Sequence, residues 1–340
     1  MKRTVIGAQL GHYRVLSQLG SGGMGTVYAA HDIRLDRRVA LKRPRLDMSA
    51  SVDRLALFQR EARAAAALNH PNIVHLYSVE EADDLIFITM ELVHGRSLRE
   101  LDPTLSDAHR VLGLIAMNHD WDRTGAENAL RSALQLAPGS AAVHLWNGWR
   151  LALLERQHDQ ALVELDEAER LDPLDLQLKT QVGYVHYFHH DLDRAMAQFE
   201  KVVALEPSFA FAHYALGDVC TQRGEFDRAF REFNRAIELG GRTVNHVGVL
   251  GYAYGRSGNR ERANDHLQEL MARSAHGYVS PIWIALVHLG LGDLQGVFHW
   301  LDRAFEERDG SLILMAAAIE VDPVREDPRF RSLVERMGLR

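Results

Sequence analysis

The chain has 340 residues, of which 46% are hydrophobic, and a formal net charge of −7. This length allows one to three domains, and the hydrophobic fraction is enough for folded cores, so an intrinsically disordered chain is excluded. The charge is uneven, because residues 1–101 have 14 Lys and Arg against 11 Asp and Glu, whereas the rest have 25 against 35. The acidic second part argues against a nucleic-acid partner.

The cysteine count and the apolar runs bear on the compartment. A single cysteine, Cys220, excludes an intrachain disulfide, fits a reducing compartment and is expected to be a small core residue. No apolar run reaches the roughly 18 residues that a membrane-spanning helix needs. Met1-Lys2-Arg3 is not followed by the apolar core of a signal peptide. These features predict a cytoplasmic protein without a membrane span.

Residues 1–101 are predicted to form short strands around one helix. Apolar runs bounded by Gly and Asp turns predict five strands, at Tyr13–Leu19, Thr26–His31, Arg38–Arg43, Ile73–Tyr77 and Leu85–Glu91. Apolar residues at helical spacing predict a helix over Val52–Asn69, which Pro71 ends. The expected fold is a five-stranded antiparallel sheet with one helix.

Two motifs in these strands are typical of nucleotide binding. Residues 20–27 have the pattern G-x-G-x-x-G-x-V, and residues 39–42 are Val-Ala-Leu-Lys. Glycines let backbone N–H groups approach phosphates without a Cβ clash, and lysine supplies a point charge. A helix glutamate in residues 58–62 and the segment Met-Glu-Leu-Val at 90–93 follow in order. Together they closely resemble the small lobe of a bacterial eukaryotic-like (Hanks-type) Ser/Thr protein kinase.

This resemblance implies that residues 1–101 are an ATP-binding lobe. Three glycines would cover the phosphates, two apolar residues would pack on adenine, and a lysine paired with a glutamate would contact the α- and β-phosphates. A gatekeeper methionine and two hinge backbones would complete the pocket. In that order the residues are Gly20, Gly22 and Gly25, then Val27 and Ala40, then Lys42 and Glu61, then Met90, Glu91 and Val93. Alternatively, Lys42 and Glu61 form only a structural ion pair in a degenerate lobe.

The motifs of a kinase large lobe are missing from the sequence. There is no H-R-D-x-x-x-x-N loop, no D-F-G and no A-P-E, and His190-Asp191 is the nearest imitation. The first two motifs supply the catalytic base and the carboxylate that holds Mg²⁺. We therefore expect weak ATP binding at most, no retained Mg²⁺ and no phosphotransfer by this chain alone. The alternative is a Ser/Thr kinase fragment, or a kinase that needs a large lobe in trans.

From residue 102 onward the sequence repeats with a period near 34. Prolines recur at 103, 138, 173 and 207, glycines at 183, 217 and 251, and alanines at 161, 195, 229 and 263. This period predicts tetratricopeptide repeats, in which small residues lie where two helices cross. We expect about six repeats over residues 104–306 and a closing cap over 307–340. The predicted architecture is α+β, with a kinase-like lobe at 1–101 and an all-α solenoid at 102–340; a generic helical bundle is the alternative.

The inner face of such a solenoid is predicted to bind a peptide. In this repeat family that face is lined by particular first-helix positions, here Trp146, Arg150, Tyr184, Tyr187, Phe188, Tyr214 and Tyr252. Aromatic side chains provide large contact areas at low entropic cost. The expected partners are proteins or peptides with apolar anchors, and other kinases through the small lobe are a further alternative. The alternative is that the aromatic rings pack only between helices.

Two remaining features carry weaker expectations. His186, His189 and His190 lie beside Asp191 and Asp193 at a predicted turn, but no second cluster accompanies them, so no metal site is predicted. Residues 97–101 resemble the start of the first large-lobe helix, whereas residues 101–109 resemble one repeat running into the next. This junction suggests the in-frame loss of a large lobe from a longer kinase, or else an artefact of sequence assembly.

Overall fold

The computed structural model of the chain describes residues 6–22, 25–44, 74–82, 85–93, 95 and 101–339. The chain divides into two compact units, Met1–Ser97 and Leu98–Arg340. The predicted helix over Val52–Asn69, which includes Glu61, lies outside the described residues.

The described part of the first unit contains one antiparallel sheet of six strands. The strands are β1 (Gln9–Leu10), β2 (Tyr13–Gly22), β3 (Gly25–Asp32), β4 (Arg37–Arg43), β5 (Leu76–Ala82) and β6 (Leu85–Glu91). Their order across the sheet is β1-β2-β3-β4-β6-β5. The predicted count of five misses β1, because a two-residue strand is too short to show a periodic pattern. Strand β5 also begins later than predicted, at Leu76 rather than Ile73.

One face of this sheet carries an apolar core. Tyr13, Val15, Tyr28, Leu41 and Phe87 are buried in one cluster. The rings of Tyr13 and Phe87 meet edge to face at 5.8 Å, and Tyr28 lies opposite Leu41 in the strand register. Because successive residues of a strand point to opposite faces, the neighbours of Leu41 in β4 belong to the other face.

The second unit begins with six helical hairpins. They are α1 (Ser106–Ile115) with α2 (Arg123–Leu136), α3 (Ala141–Arg150) with α4 (His158–Leu171), α5 (Leu176–Phe188) with α6 (Leu192–Leu205), α7 (Ala210–Arg223) with α8 (Phe226–Gly240), α9 (Val244–Arg256) with α10 (Arg260–Ser274), and α11 (Pro281–Leu291) with α12 (Leu294–Glu306). Helices α1 and α3 each continue into a π-helical turn, Ala116–Asp120 and Leu151–Glu155. Within the described chain, none of the helices is long and apolar enough to cross a bilayer.

Glycines mark the place where the two helices of a hairpin cross. A Cβ atom on Gly183 would overlap the ring of Phe199, and one on Gly217 would overlap the ring of Phe233. Both phenylalanines are buried in the core of this unit. The 34-residue spacing of these glycines therefore reflects close helix packing, in which a large side chain of the second helix fills the space that glycine leaves.

The residues after α12 fold back onto the hairpins. They form α13 (Leu312–Ala317), a 3₁₀ turn (Ile319–Val324) and α14 (Pro328–Arg336). The Phe305 ring of α12 stacks on Trp121 of the first hairpin at 5.1 Å, and the Arg308 guanidinium lies 4.6 Å from the centre of the Trp121 ring. The first and last hairpins of this unit are thus in direct contact.

Candidate functional site

Strand register places the predicted adenine and lysine positions on one face of the sheet. Ala40 lies opposite Met90, and Lys42 lies opposite Val27. Ala40 and Lys42 are two residues apart in β4, so all four side chains point to the same side. This side is opposite to the core that contains Leu41. Ala40 is buried, whereas Val27, Lys42 and Met90 are half-buried.

The glycine-rich segment forms the β2–β3 hairpin, in which Gly20 pairs with Val27 and Gly22 pairs with Gly25. A Cβ atom on Gly20 would have nothing within 4 Å. Gly25 has a φ of +135°, and a Cβ there would overlap the carbonyl oxygen of Arg43. Gly25 is therefore required by the fold of the hairpin itself, whereas Gly20 leaves open space beside the strand.

The predicted hinge continues from β6. The Glu91 backbone N–H donates to the His75 carbonyl oxygen at 2.8 Å, and a Glu91 carboxylate oxygen accepts from the His75 backbone N–H at 3.3 Å. Val93 follows as an exposed residue, with 62% of its surface accessible. Ala40, Lys42 and the open space at Gly20 lie on one side of the sheet. The pairing of Lys42 with Glu61 falls outside the described residues.

The helical unit contains a cavity of about 570 Å³, which is lined mainly by the first helix of each of five hairpins, α3, α5, α7, α9 and α11. The aromatic residues that line it are Trp149, Tyr184, Tyr187, Phe188, Phe211, Tyr214 and Trp283. Leu314, Met315, Ala318 and Glu320 from the segment after α12 also line it. The structure thus brings four of the predicted groove residues together, namely Tyr184, Tyr187, Phe188 and Tyr214.

The other three predicted groove residues lie away from the cavity lining. Arg150 is buried, donates to the Asn147 side-chain oxygen at 3.1 Å and forms an ion pair with Glu155 at 3.3 Å. Burial lowers the pKa of the Arg150 guanidinium. The Tyr252 hydroxyl accepts from the Arg256 guanidinium at 2.7 Å. Trp146 is half-buried beside Trp149, with ring centres 6.5 Å apart.

Two tyrosine hydroxyls donate to carboxyl groups at the cavity. Tyr184 donates to Asp218 Oδ2 at 2.9 Å, and Tyr187 donates to Glu320 Oε1 at 2.6 Å. Burial raises the pKa of Asp218 well above its ordinary value, with the charge of Glu320 adding to the effect. Burial likewise raises the pKa of Glu320. Neither acid is among the site residues that the sequence predicts. Asp218 follows Tyr184 by one repeat period, and this spacing could have indicated that the two residues are neighbours. Glu320 lies outside the repeats, so the period gives no indication of its position.

Two histidines near the α5–α6 turn, His186 and His189, contact His158, the first residue of α4. The His158 ring stacks on His189 at 3.7 Å and lies 5.7 Å from His186. Burial, with the nearby His189 and His186 adding, lowers the pKa of His158 to about 4. Asp191 caps α6 by accepting from the Arg194 backbone N–H. Throughout the described ranges, no group of three or more His, Cys, Asp or Glu is placed to hold a metal ion.

Comparison with known proteins gives the class of the first unit. Residues 13–112 match the family model described as the protein kinase domain. Over 90 residues, 26% of this chain, it is 47% identical to the Serine/threonine-protein kinase PrkC of Bacillus subtilis (strain 168). It is 36% identical over 135 residues, 39% of this chain, to the Serine/threonine-protein kinase pkn2 of Myxococcus xanthus. The matched segment covers 14% of the length of each relative.

Among solved structures, PilW, titled a widely conserved type IV pilus biogenesis factor, is similar to the helical part. Its TM-score is 0.45 at 19% identity, over 53% of this chain and 82% of that chain.

The first unit is therefore a kinase-like small lobe, as the motifs predicted. The second unit is an array of tetratricopeptide-type helical hairpins, as the 34-residue period predicted. A kinase-like lobe fused to helical repeats is the class of protein that fold and motifs together define.

Proposed function

We propose that this protein is an interaction scaffold. Its helical unit binds a segment of a partner protein, and its kinase-like lobe binds ATP weakly without transferring the γ-phosphate on its own. The observation that supports this proposal best has two parts. Val27, Ala40 and Lys42 share one face of the sheet, and the elements described after β6 are helical hairpins rather than a large lobe. The cytoplasm is the proposed location.

The chemistry of phosphoryl transfer supports a lobe without activity of its own. Transfer needs a carboxylate that holds Mg²⁺ against the β- and γ-phosphates, and a base that orients the attacking hydroxyl. The base alone contributes about 10²–10⁴-fold. Neither D-F-G nor H-R-D occurs in the sequence. Lys42 can neutralise part of the phosphate charge, so the proposed ATP binding depends on Lys42 and little on Mg²⁺.

Binding of a fluorescent ATP analogue to the full chain tests the nucleotide half of this proposal. We expect weak binding that Lys42→Ala abolishes and that removal of Mg²⁺ leaves nearly unchanged. Arg43→Ala is the matched control, since Arg43 is the adjacent β4 cation and points to the opposite face. Tight binding that requires Mg²⁺ would show that a carboxylate of this chain replaces the missing aspartate, and would contradict the proposal.

The aromatic lining of the cavity supports the proposed partner binding. Phe188, Phe211, Tyr214 and Trp283 are half-buried, so part of each ring remains accessible. Accessible aromatic groups of this kind dominate the free energy of binding at many interfaces. The proposed ligand is an extended or helical segment of a partner protein with apolar anchors.

The proposed binding of a partner segment is tested by selecting peptides from a random dodecapeptide library on the full chain. We expect selected peptides to lose about tenfold or more in affinity with Trp283→Ala or Phe211→Ala. Tyr254→Ala is the control, because Tyr254 is also half-buried and aromatic but stacks on Phe230 outside the cavity lining. Failure to select any peptide, or equal loss with Tyr254→Ala, would contradict the groove as the binding surface.

A further inference from the structure

The charged groups at the cavity wall have one sign. Asp218 and Glu320 line the cavity, whereas Lys and Arg are absent from the lining that the structure describes. Asp218 comes from α7 and Glu320 from the 3₁₀ turn after α13, so the two carboxyl groups are held by separate elements. The charge of Glu320 adds to the burial that raises the pKa of Asp218. A ligand that enters this cavity meets an acidic wall framed by aromatic rings.

Two buried oxygen acceptors among the described residues of this wall lack a donor. In the described chain, the Asp218 carboxyl group receives one hydrogen bond, from Tyr184, although Asp218 is only 9% exposed. Glu320 Oε2 and Gln181 Oε1 are buried without a hydrogen-bond partner, and both residues line the cavity. Of the lining donors that the structure describes, Trp149 Nε1 alone is buried without a hydrogen-bond partner. Buried acceptors without partners cost free energy, so a ligand with several N–H donors would stabilise this wall.

We propose that the cavity takes a Lys or Arg side chain from the partner segment. The ammonium or guanidinium group supplies three or five N–H donors to the carboxyl groups of Asp218 and Glu320. The aliphatic stem lies against the aromatic rings, whose faces also attract a cation. This inference rests on the proposed function, because it states which side chain of the bound segment enters the cavity.

Proton exchange follows from this arrangement. Burial raises the pKa of Asp218 and of Glu320, whereas a bound cation favours their ionised forms and so lowers both pKa values. Binding therefore releases protons, and affinity falls as the pH is lowered. The other titratable or charged groups around them are Tyr184, Tyr187, Tyr214, Tyr252, His246, Arg256 and Asp322. Burial raises the pKa of the four tyrosines and lowers the pKa of His246, so it favours the neutral form of each.

The test uses peptides selected on the full chain and measured by titration calorimetry. Replacing the peptide's Lys by norleucine, or its Arg by citrulline, removes the charge and leaves most of the shape. We expect this change to lower affinity by about thirtyfold or more. Asp218→Asn and Glu320→Gln should each produce a similar loss for the charged peptide and little change for the neutral one. Asp265→Asn, an exposed acid on α10 outside the cavity, should change neither.

The possible outcomes separate this inference from the proposed function. Peptides that bind equally with and without the charge would overturn the inference and leave the scaffold proposal standing. A further arm titrates phenethylamine against its neutral counterpart 2-phenylethanol. If no peptide binds but the amine binds in preference to the alcohol, the cavity takes a free organic cation, and a partner side chain is excluded. If neither the charged peptide nor phenethylamine binds the folded protein at millimolar concentration, the cavity is not a cation site.

Discussion

The two candidate sites of this protein are assembled over very different distances along the chain. In the sheet, Val27, Lys42 and Met90 reach one face because β3, β4 and β6 are neighbouring strands with a fixed register. In the helical unit, Tyr187 meets Glu320, 133 residues further along. The sheet face therefore depends on the pairing of three neighbouring strands, whereas the cavity depends on several hairpins and on the segment after α12.

This difference predicts where each site is vulnerable. A change at a helix crossing should alter the cavity even when it lies far from the lining, because each hairpin positions the next. A change in the sheet should affect only the nucleotide face. All five tryptophans lie between Trp121 and Trp300, so their fluorescence reports on the helical unit alone.

The largest effect is expected from Phe233→Ala. The Phe233 ring is 1% exposed and fills the space beside Gly217. Its removal should lower the free energy of unfolding of the helical unit by about 3–5 kcal/mol. Urea unfolding followed by tryptophan fluorescence measures this change. The control is Phe87→Ala, in the core of the sheet, which should leave the unfolding transition seen by tryptophan fluorescence unchanged. If Phe87→Ala shifts that transition as well, the two units unfold as one.

Gly217→Ala should have the next largest effect. The added methyl group would overlap the Phe233 ring, and overpacking of this kind costs about 1–3 kcal/mol. Gly139→Ala is the matched control, since a Cβ there meets nothing within 4 Å, and its effect should be close to zero. Equal transitions for the two variants would contradict close crossing as the reason for the repeated glycine.

Gly25→Ala tests the corresponding constraint in the sheet. A positive φ at a residue other than glycine costs on the order of 1–3 kcal/mol, and the added Cβ would also overlap the Arg43 carbonyl oxygen. We expect loss of ATP-analogue binding and a lower unfolding temperature of the lobe, with an unchanged tryptophan transition. Gly20→Ala should keep the fold, because its surroundings are open. Tolerance of alanine at both positions would weaken the assignment of separate roles.

The smallest expected effect is a pH dependence of the helical unit. Burial and the neighbouring imidazoles hold the pKa of His158 at about 4, against an ordinary value of 6.5. The unfolded chain therefore takes up a proton first, and stability is lost as the pH falls from 6.5 towards 4. His158→Phe should reduce this loss in urea titrations at pH 7 and pH 5. An unchanged difference between the two pH values would show that His158 is not responsible.

The sequence predicts the sheet face more completely than the cavity. Residues 20–27 and 39–42 carry chemistry at a spacing that strand register preserves, so their shared face follows from alternation alone. The repeat period likewise predicts the hairpins and places Tyr184 and Tyr214 at the cavity. It does not place Tyr252, whose hydroxyl bonds to Arg256 within its own helix, or Glu320, which reaches the cavity through a fold-back that no periodic pattern encodes.

The central claim, a scaffold whose kinase-like lobe does not transfer phosphate on its own, is tested most directly by incubating the full chain with γ-labelled ATP and Mg²⁺. Labelling of the protein itself and of a generic substrate such as myelin basic protein is measured, with Lys42→Ala as the control. We expect no labelling above that of Lys42→Ala. Labelling that is present in the natural chain and absent from Lys42→Ala would contradict the claim and establish the chain as an active kinase.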